Sequence, residues 1–410
     1  VNEMINYLLI LSIVFMSGSV IGWVTPLPLY LECLTIAIKI CQMTKKRYAV
    51  SKRNLMIFAF VVFIFAANLT ILSGPSEFWN RKTLFLDFLA IFLCATTIEY
   101  EEYKEKYINV MFLISVISLI FWGLSLFRIQ IGANIIDTGE AFYLMNPFYI
   151  YGWNTATSEY FMRTMRNFAT FWEPGCYQAW LNLALFFLLQ HDNKGTTNGI
   201  KEKRKTKWRI IKGVVLGITI ITTESTTGYL MLIINFCIYY SQRIKSIRKK
   251  DVIFIALGII AITGILASPI VVEKFSSSSS SYISYVRRLT DQVEGIKASL
   301  YSPLWGLGMY STEYYDIMEL YGINGNSSGI LRLIQETGVP FGLWFTVTQM
   351  STVIKQYNWI HKCILSQILI CIMFLVIFST EPINYTGAFF MMLFTTKKSY
   401  GHKVSSRGIE

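Results

Sequence analysis

The chain has 410 residues and a formal net charge of +12, and it is 53% hydrophobic but only 15% charged. Soluble proteins carry about 25% charged residues, so this composition excludes an ordinary soluble protein and indicates an integral membrane protein. The basic residues stand in clusters between apolar runs, as they do in cytoplasmic loops, which argues against a nucleic-acid partner.

The first half of the chain contains five apolar runs that we interpret as transmembrane helices. They cover residues 4–24, a second run that reaches Ile40, and residues 55–72, 83–98 and 107–127. No basic segment precedes the first run and no small-residue cleavage site closes it, so we expect a retained helix rather than a signal peptide. The basic cluster at 45–53 predicts a cytoplasmic loop after the second run.

The first long loop, at about 129–172, is rich in Tyr, Phe, Asn and Trp. We expect it to lie against the membrane surface, with aromatic rings at headgroup level. The sequence RTMRNFATFWEPG, residues 163–175, closes this loop and leads into a sixth apolar run at 174–190. Because Pro174 suits the first turn of a helix, we predict that a helix begins at Glu173 or Pro174. Its unpaired N–H groups would favour an anion nearby.

Two further basic clusters, at 194–209 and 243–250, predict cytoplasmic loops in the second half. Between them, residues 208–242 are long enough for two spans. We predict a break in the sequence TTESTTG, where Ser225 or Thr226 can cap the second helix. The remaining apolar runs cover residues 252–272, 330–354, 363–379 and 383–396.

Together, the runs and clusters predict an all-α integral membrane protein of about 12 transmembrane helices, with both termini cytoplasmic. Residues 1–410 would form a single polytopic membrane domain. Two large loops, at about 129–172 and 273–329, would lie on the outer face, opposite the basic clusters.

The predicted outer loops carry charged residues that suit an anionic substrate. Arg166 and Glu173 flank the proline-started helix and are assigned to the site, although Glu173 could instead be a plain helix cap. Arg287 and Arg288 lie in an amphipathic segment. A guanidinium can donate two parallel hydrogen bonds to two oxygens of a phosphate. The apolar face of that segment also suits a helix lying on the membrane, and the two interpretations are compatible. Arg163 is interpreted as an ordinary loop charge.

The sequence shows neither a metal-binding cluster nor a nucleotide-binding motif, so chemistry on the outer face must use a donor that arrives activated. A lipid-linked diphosphate sugar fits this need, because its diphosphate is both the anion and the leaving group. Gly306 and Gly308, in SPLWGLG, would let backbone amides approach a phosphate or a sugar.

Four short motifs, in this order, resemble the O-antigen polymerase and ligase family of bacterial membrane proteins. They are Arg166 with FATFWEPG, the turn TTESTTGYL, Arg287-Arg288 upstream of SPLWGLGMYS, and NSSGILRLIQETGVPFGLW. They cover roughly residues 160–345, and the predicted helix count agrees outside this range. Two features depart from the family pattern: the second outer loop has no histidine in NGNSSG, and Thr226-Thr227 stand where an arginine is common.

The resemblance implies a metal-independent glycosyltransferase of the cytoplasmic (inner) membrane, without a cofactor. It would transfer undecaprenyl-diphosphate-linked oligosaccharide to build O-antigen or capsule. The expected partners are membrane lipids, and a flippase and a chain-length regulator of the same pathway. The missing histidine favours a polymerase over a ligase that transfers polymer to lipid A–core; a flippase is the third alternative. The implied catalytic residues are Arg166, Glu173, Arg287 and Arg288, and the implied substrate-binding residues are Gly175, Gly306, Gly308, Asn326 and Arg332.

Overall fold

Helices make up most of the chain in the computed structural model, which describes residues 2–46, 50–127, 134–137, 142–145, 149–150, 152–154, 166–190, 200–241, 280–323, 326–358 and 364–396. The earlier helices are α1 (Asn2–Met16), α2 (Val20–Val24), α3 (Leu27–Lys46), α4 (Lys52–Ala67), α5 (Pro75–Asn80), α6 (Lys82–Thr97) and α7 (Tyr100–Leu126). The later ones are α8 (Pro174–Leu189), α9 (Ile200–Thr222), α10 (Thr226–Ser241), α11 (Ser280–Ser299), α12 (Thr312–Leu320), α13 (Gly329–Thr337), α14 (Val339–Asn358), α15 (Ile364–Thr380) and α16 (Gly387–Phe390). A π-helical turn (Asn68–Leu72) extends α4, and a 3-10 turn (Met391–Leu393) follows α16.

Part of the predicted first outer loop forms a small antiparallel sheet, which the sequence patterns did not predict. Its strands are β1 (Asn134–Asp137), β2 (Phe142–Met145) and β3 (Gly152–Asn154), in the order β1-β2-β3. Ile136 lies opposite Tyr143, and Leu144 lies opposite Trp153. Such β-branched and aromatic residues suit a pleated surface, which gives these short strands a local reason to pair.

α8 is buried on nearly every side among its neighbours α7, α9 and α10. Its sequence is apolar except for Gln178 and Asn182, whose side chains hydrogen-bond to each other, and such a helix belongs in an interior. Tyr177 and Trp180 stack on Phe171, with ring centroids 5.3 and 5.6 Å apart. The helix begins at Pro174 with Glu173 at the N-cap position, which confirms the predicted start.

Three helical segments within the described ranges are long and apolar enough to cross a membrane. They are Leu27–Lys45, Lys52–Leu72 and Tyr100–Leu126, judged by length and composition. α1, α8 and α15 are also apolar but shorter. Large apolar side chains such as Phe63 and Leu113 point away from the protein and are more than half exposed, as suits helices in lipid. The chain is therefore a helical membrane protein.

Two predicted spans are interrupted by breaks. The run 4–24 divides into α1 and α2 after Met16, and the run 330–354 divides into α13 and α14 at Gly338. Gly338 has a φ of +88°, and a Cβ there would lie 2.3 Å from the carbonyl oxygen of Leu304. Only glycine tolerates both the backbone conformation and the contact. The predicted span 252–272 lies outside the described residues.

The last predicted span, 383–396, is not a spanning helix. It contains only α16, of four residues, and the 3-10 turn, of three, whereas a span needs about 20. The segment is buried beside α14, where the side-chain amide of Gln349 donates to the carbonyls of Asn384 and Phe389 at 2.6 and 2.8 Å. These side-chain donors supply partners to a buried backbone that helical hydrogen bonds do not satisfy.

Candidate active site at the start of α8

Several helix ends and turns meet where α8 begins, and we call this end of the bundle the Glu173 end. Ser19, in the break after α1, pairs with Phe171 in an isolated bridge. The turn after α9 reaches the same segment, because the N–H of Asn167 donates to the carbonyl of Thr222 at 2.9 Å. The Glu173 end thus collects residues from distant parts of the chain.

Glu173 stands at the N-cap of α8 in an extended conformation, with φ −153° and ψ 159°. Its half-buried side chain makes no capping hydrogen bond, so the geometry does not support a plain helix cap. Instead, its carboxyl group lies near that of Glu381, in the turn after α15, closely enough to raise the pKa of Glu381.

Glu381 is the buried centre of this site. Its side chain is fully buried, and no donor group in the described part of the chain hydrogen-bonds to either carboxyl oxygen. Two glycines leave room for it. A Cβ at Gly175 would lie 2.2 Å from its Oε1, and a Cβ at Gly329 would lie 2.6 Å from its carbonyl oxygen. Burial and the nearby Glu173 carboxyl both favour the protonated form of Glu381, and we call these two residues the carboxyl pair.

Burial raises the pKa of Glu381 well above its usual value of 4.5, and the neighbouring carboxyl of Glu173 raises it further. The positive charges of Arg288 and Arg166 lower this pKa, but burial is the largest effect. A carboxyl whose pKa is raised holds its proton to higher pH than usual, and displaced pKa values of this kind are common among acid–base groups of active sites.

Arg166 lies against the turn between α9 and α10. Its Nε donates to the carbonyl of Thr223 at 3.0 Å, and its Nη2 donates to the carbonyl of Glu224 at 3.2 Å. Glu224 has a φ of +48°, which is uncommon without glycine, so Arg166 steadies a strained turn. The N–H of Gly228 donates to Oγ of Ser225, which confirms Ser225 as a cap of α10. The diphosphate contact predicted for Arg166 stays a prediction.

Arg288 extends from α11 to the carboxyl pair. Its Nη1 donates to the carbonyl of Thr380 at 3.4 Å, and its Nη2 lies 3.6 Å from Oε1 of Glu381. The side chain is 35% exposed, so its guanidinium faces both the buried pair and the outside. Arg287 occupies the preceding position of α11. Arg163 lies outside the described residues.

The predicted amphipathic helix around these arginines is present as α11. Its apolar residues are 39–53% exposed rather than packed in the core; they are Val286, Leu289, Val293 and Ile296. The other side of α11 packs on α13, where Gln335 donates to the carbonyl of Gly295 at 2.8 Å. An apolar face left uncovered in this way suits a helix that lies on a membrane.

Three predicted substrate-binding residues make contacts within the protein around α13. The N–H of Gly308 donates to the carbonyl of Glu336 at 3.1 Å, and a Cβ at Gly306 would lie 2.5 Å from that carbonyl oxygen. The close backbone approach that these two glycines allow is therefore an approach to α13 of the same chain. Asn326 is also buried and donates to the carbonyl of Asp291 at 3.1 Å. Substrate contacts by these residues stay predictions.

Arg332, on the first turn of α13, belongs to a second charged cluster. Its Nε lies 2.9 Å from Oε1 of Glu336. Its guanidinium carbon lies 5.7 Å from the ring centroid of Tyr310, and that of Arg81 lies 3.9 Å from the same centroid. Guanidinium groups favour the face of an aromatic ring, so these contacts join Arg81 and Arg332 through one tyrosine. The sequence did not point to Arg81.

Glu381 was also missed, because it falls between two runs interpreted as spans, 363–379 and 383–396. A signal was present: the dipeptide Glu381-Pro382 repeats Glu173-Pro174 at the start of α8. The residue before a proline avoids helical conformation, so both glutamates stand just outside helices. Two such dipeptides at opposite ends of the second half predict a pair of glutamates at helix boundaries.

In the described part of the chain, no group of three or more His, Cys, Asp and Glu residues is placed to hold a metal ion. No protein-family model matches the chain, and no curated protein matches it. The resemblance to O-antigen polymerases therefore stays a prediction from the motifs, and a function must be argued from the geometry of Glu173, Glu381 and Arg288.

Proposed function

We propose that this chain polymerises surface polysaccharide, O-antigen or capsule, by transferring undecaprenyl-diphosphate-linked oligosaccharide units. One observation carries the proposal: Glu173, Glu381 and Arg288 come from three separate segments and meet at one end of a helical membrane protein. A buried carboxyl pair can accept a proton, and a guanidinium can bind a diphosphate. Glycosyl transfer from a lipid diphosphate requires both of these functions.

The reaction forms one bond and breaks one bond at the anomeric carbon of the donor sugar. The acceptor hydroxyl oxygen attacks this carbon, and its bond to the diphosphate oxygen breaks. The bonding electrons leave with undecaprenyl diphosphate, whose negative charge Arg288 stabilises. The hydroxyl proton passes to the Glu173–Glu381 pair, which acts as the general base when one member is ionised. Arg166 positions the neighbouring turn after α9.

The proposal includes the predicted topology of about 12 spans in the cytoplasmic membrane, with the Glu173 end facing outward. To test it, we would place a single cysteine at Glu319, exposed on α12, or at Lys207, exposed on α9, in a cysteine-free background. An impermeant thiol reagent should label Glu319→Cys in intact cells and Lys207→Cys only after lysis. The reverse pattern would refute the orientation.

The central experiment compares two site variants with a matched charge variant. Glu381→Gln and Arg288→Ala should each reduce polymer formation by about 10²-fold or more, the usual cost of losing a general base or an anion-stabilising group. Lys297→Ala is the control, because Lys297 lies on α11 as Arg288 does, but its side chain is 55% exposed and pairs with Glu294 of the same helix. Chain length on gels is compared at equal protein level. Normal polymer from Glu381→Gln would overturn the proposed mechanism.

A flippase of the same lipid-linked unit is a second candidate, favoured by one observation. Glu32 of α3 and Asp87 of α6 are both buried, and their carboxyl groups lie near each other. Ionisable groups within spans commonly line transport paths. Purified protein in liposomes without an ion gradient separates the candidates: a polymerase lengthens added undecaprenyl-diphosphate oligosaccharide, whereas a flippase only moves it between leaflets.

The ligase alternative is tested by gene deletion. Loss of a polymerase should leave surface glycans with at most one repeat unit. Loss of a ligase should instead leave full-length polymer on its lipid carrier, because only the final transfer to lipid A–core is missing.

A further inference from the structure

A deep apolar groove runs along the membrane-facing side of α4. Its volume is about 730 Å³. Aromatic and aliphatic side chains line it, among them Phe60, Phe63 and Leu72 on the α4 side and Trp305, Phe341 and Trp344 opposite. From Phe60 to Leu72, the end of α4 and its π-helical turn extend at most about 18 Å, at about 1.5 Å per residue. This length is about half of the roughly 30 Å hydrocarbon core of a bilayer, so the groove is about as long as one leaflet is thick.

The polar residues of the groove are Asn68 and Thr337. Oδ1 of Asn68 accepts a hydrogen bond of 2.6 Å from the N–H of Met309, the residue before Tyr310. Its Nδ2 donates to the carbonyl of Glu336, the residue before Thr337, at 2.7 Å. Asn68 thus joins the groove to the segments that carry Tyr310 and Arg332, and we call this part the polar end of the groove.

Within the cluster of Arg81, Tyr310 and Arg332, Arg81 lies farther from its carboxylate partner than Arg332 does. Arg332 is held at 2.9 Å by Glu336 and its side chain is 23% exposed. Arg81 lies 3.7 Å from Glu77, beyond hydrogen-bonding distance, and its side chain is 45% exposed. The polar end of the groove thus presents a half-exposed cation, fixed by its contact with the Tyr310 ring.

We propose that this groove binds the polyprenyl chain of a lipid-linked diphosphate, and that Arg81 contacts the diphosphate as the lipid enters, before the diphosphate reaches Arg288 for transfer. An apolar trough that ends in a guanidinium matches an amphiphile with a long hydrocarbon chain and an anionic head. α13 connects the two sites, since Gly329 contacts Glu381 and Arg332 follows one turn later. This inference rests on the proposed function, which names the lipid-linked substrate.

The test measures binding of undecaprenyl diphosphate to the purified full chain by native mass spectrometry. Ala67 lines the groove, so Ala67→Trp should fill it and reduce the bound fraction at least tenfold. Ala37→Trp is the matched control, because Ala37 is exposed on α3, away from the groove. Arg81→Gln changes only a half-exposed side chain and should weaken binding without preventing folding. Retention of phosphatidylglycerol should be equal in all variants.

Several results would overturn the inference. Wild-type affinity in Ala67→Trp and Arg81→Gln would show that the chain binds elsewhere. Equal displacement of the probe by phosphatidylglycerol would make the groove an ordinary lipid-contact surface. If Ala67→Trp retains binding while Glu381→Gln abolishes polymer, the groove assignment fails and the proposed function stands. If the wild-type protein binds no undecaprenyl diphosphate, both fail.

Discussion

Adding one methyl group at Gly175 tests the packing of the buried carboxyl pair directly. In Gly175→Ala, the new Cβ would lie 2.2 Å from Oε1 of Glu381, whereas ordinary contacts begin near 3.4 Å. The carboxyl or the start of α8 must therefore move by about 1.2 Å. Because Glu381 is fully buried, the displacement cannot be relieved into solvent, and overpacking of this kind costs about 1–3 kcal/mol. A shift of about 1 Å in a catalytic group also costs about 10²-fold in rate.

The assay is thermal unfolding in detergent together with chain-length analysis of the polymer. Gly217→Ala is the matched control, because a Cβ at Gly217 in α9 meets nothing within 4 Å. Alanine in place of glycine inside a helix should stabilise the protein by about 0.5–1 kcal/mol. We expect a lower unfolding temperature and shorter polymer for Gly175→Ala only. If Gly175→Ala unfolds at the temperature of the control, the described contact with Glu381 is wrong.

Two further predictions concern stability. Because burial raises the pKa of Glu381 above 4.5, its contribution to stability is full below pH 4.5 and is lost as pH rises through the raised pKa. The wild type should therefore lose more stability with rising pH than Glu381→Gln does, and parallel unfolding curves against pH would contradict this. Asn68→Ala removes both buried hydrogen bonds, to Met309 and Glu336, and should cost about 2–4 kcal/mol. Asn80→Ala, at an exposed helix end, should change the unfolding free energy by less than about 0.5 kcal/mol, and an equal cost would count against the Asn68 contacts.

The sequence by itself determined features that depend on neighbouring residues. Composition indicated a membrane protein, Pro174 marked the start of α8, and Ser225 marked the start of α10. The amphipathic segment around Arg287 and Arg288 predicted α11. Each of these signals acts within about one helical turn, through a missing N–H, a capping hydroxyl or the period of the helix. Such signals can be recognised without knowing the rest of the fold.

Only the tertiary structure decided which residues meet. It brought Glu381 to Glu173, docked Arg166 on the carbonyls after α9, and replaced the predicted span 383–396 with a short buried helix and turn. These outcomes depend on contacts between residues far apart in the chain. The clearest is at Gly175, where the absence of a side chain in α8 makes room for a carboxyl that arrives from the end of α15. Local patterns carry no information about such a meeting, because its free energy comes from packing and desolvation between separate elements.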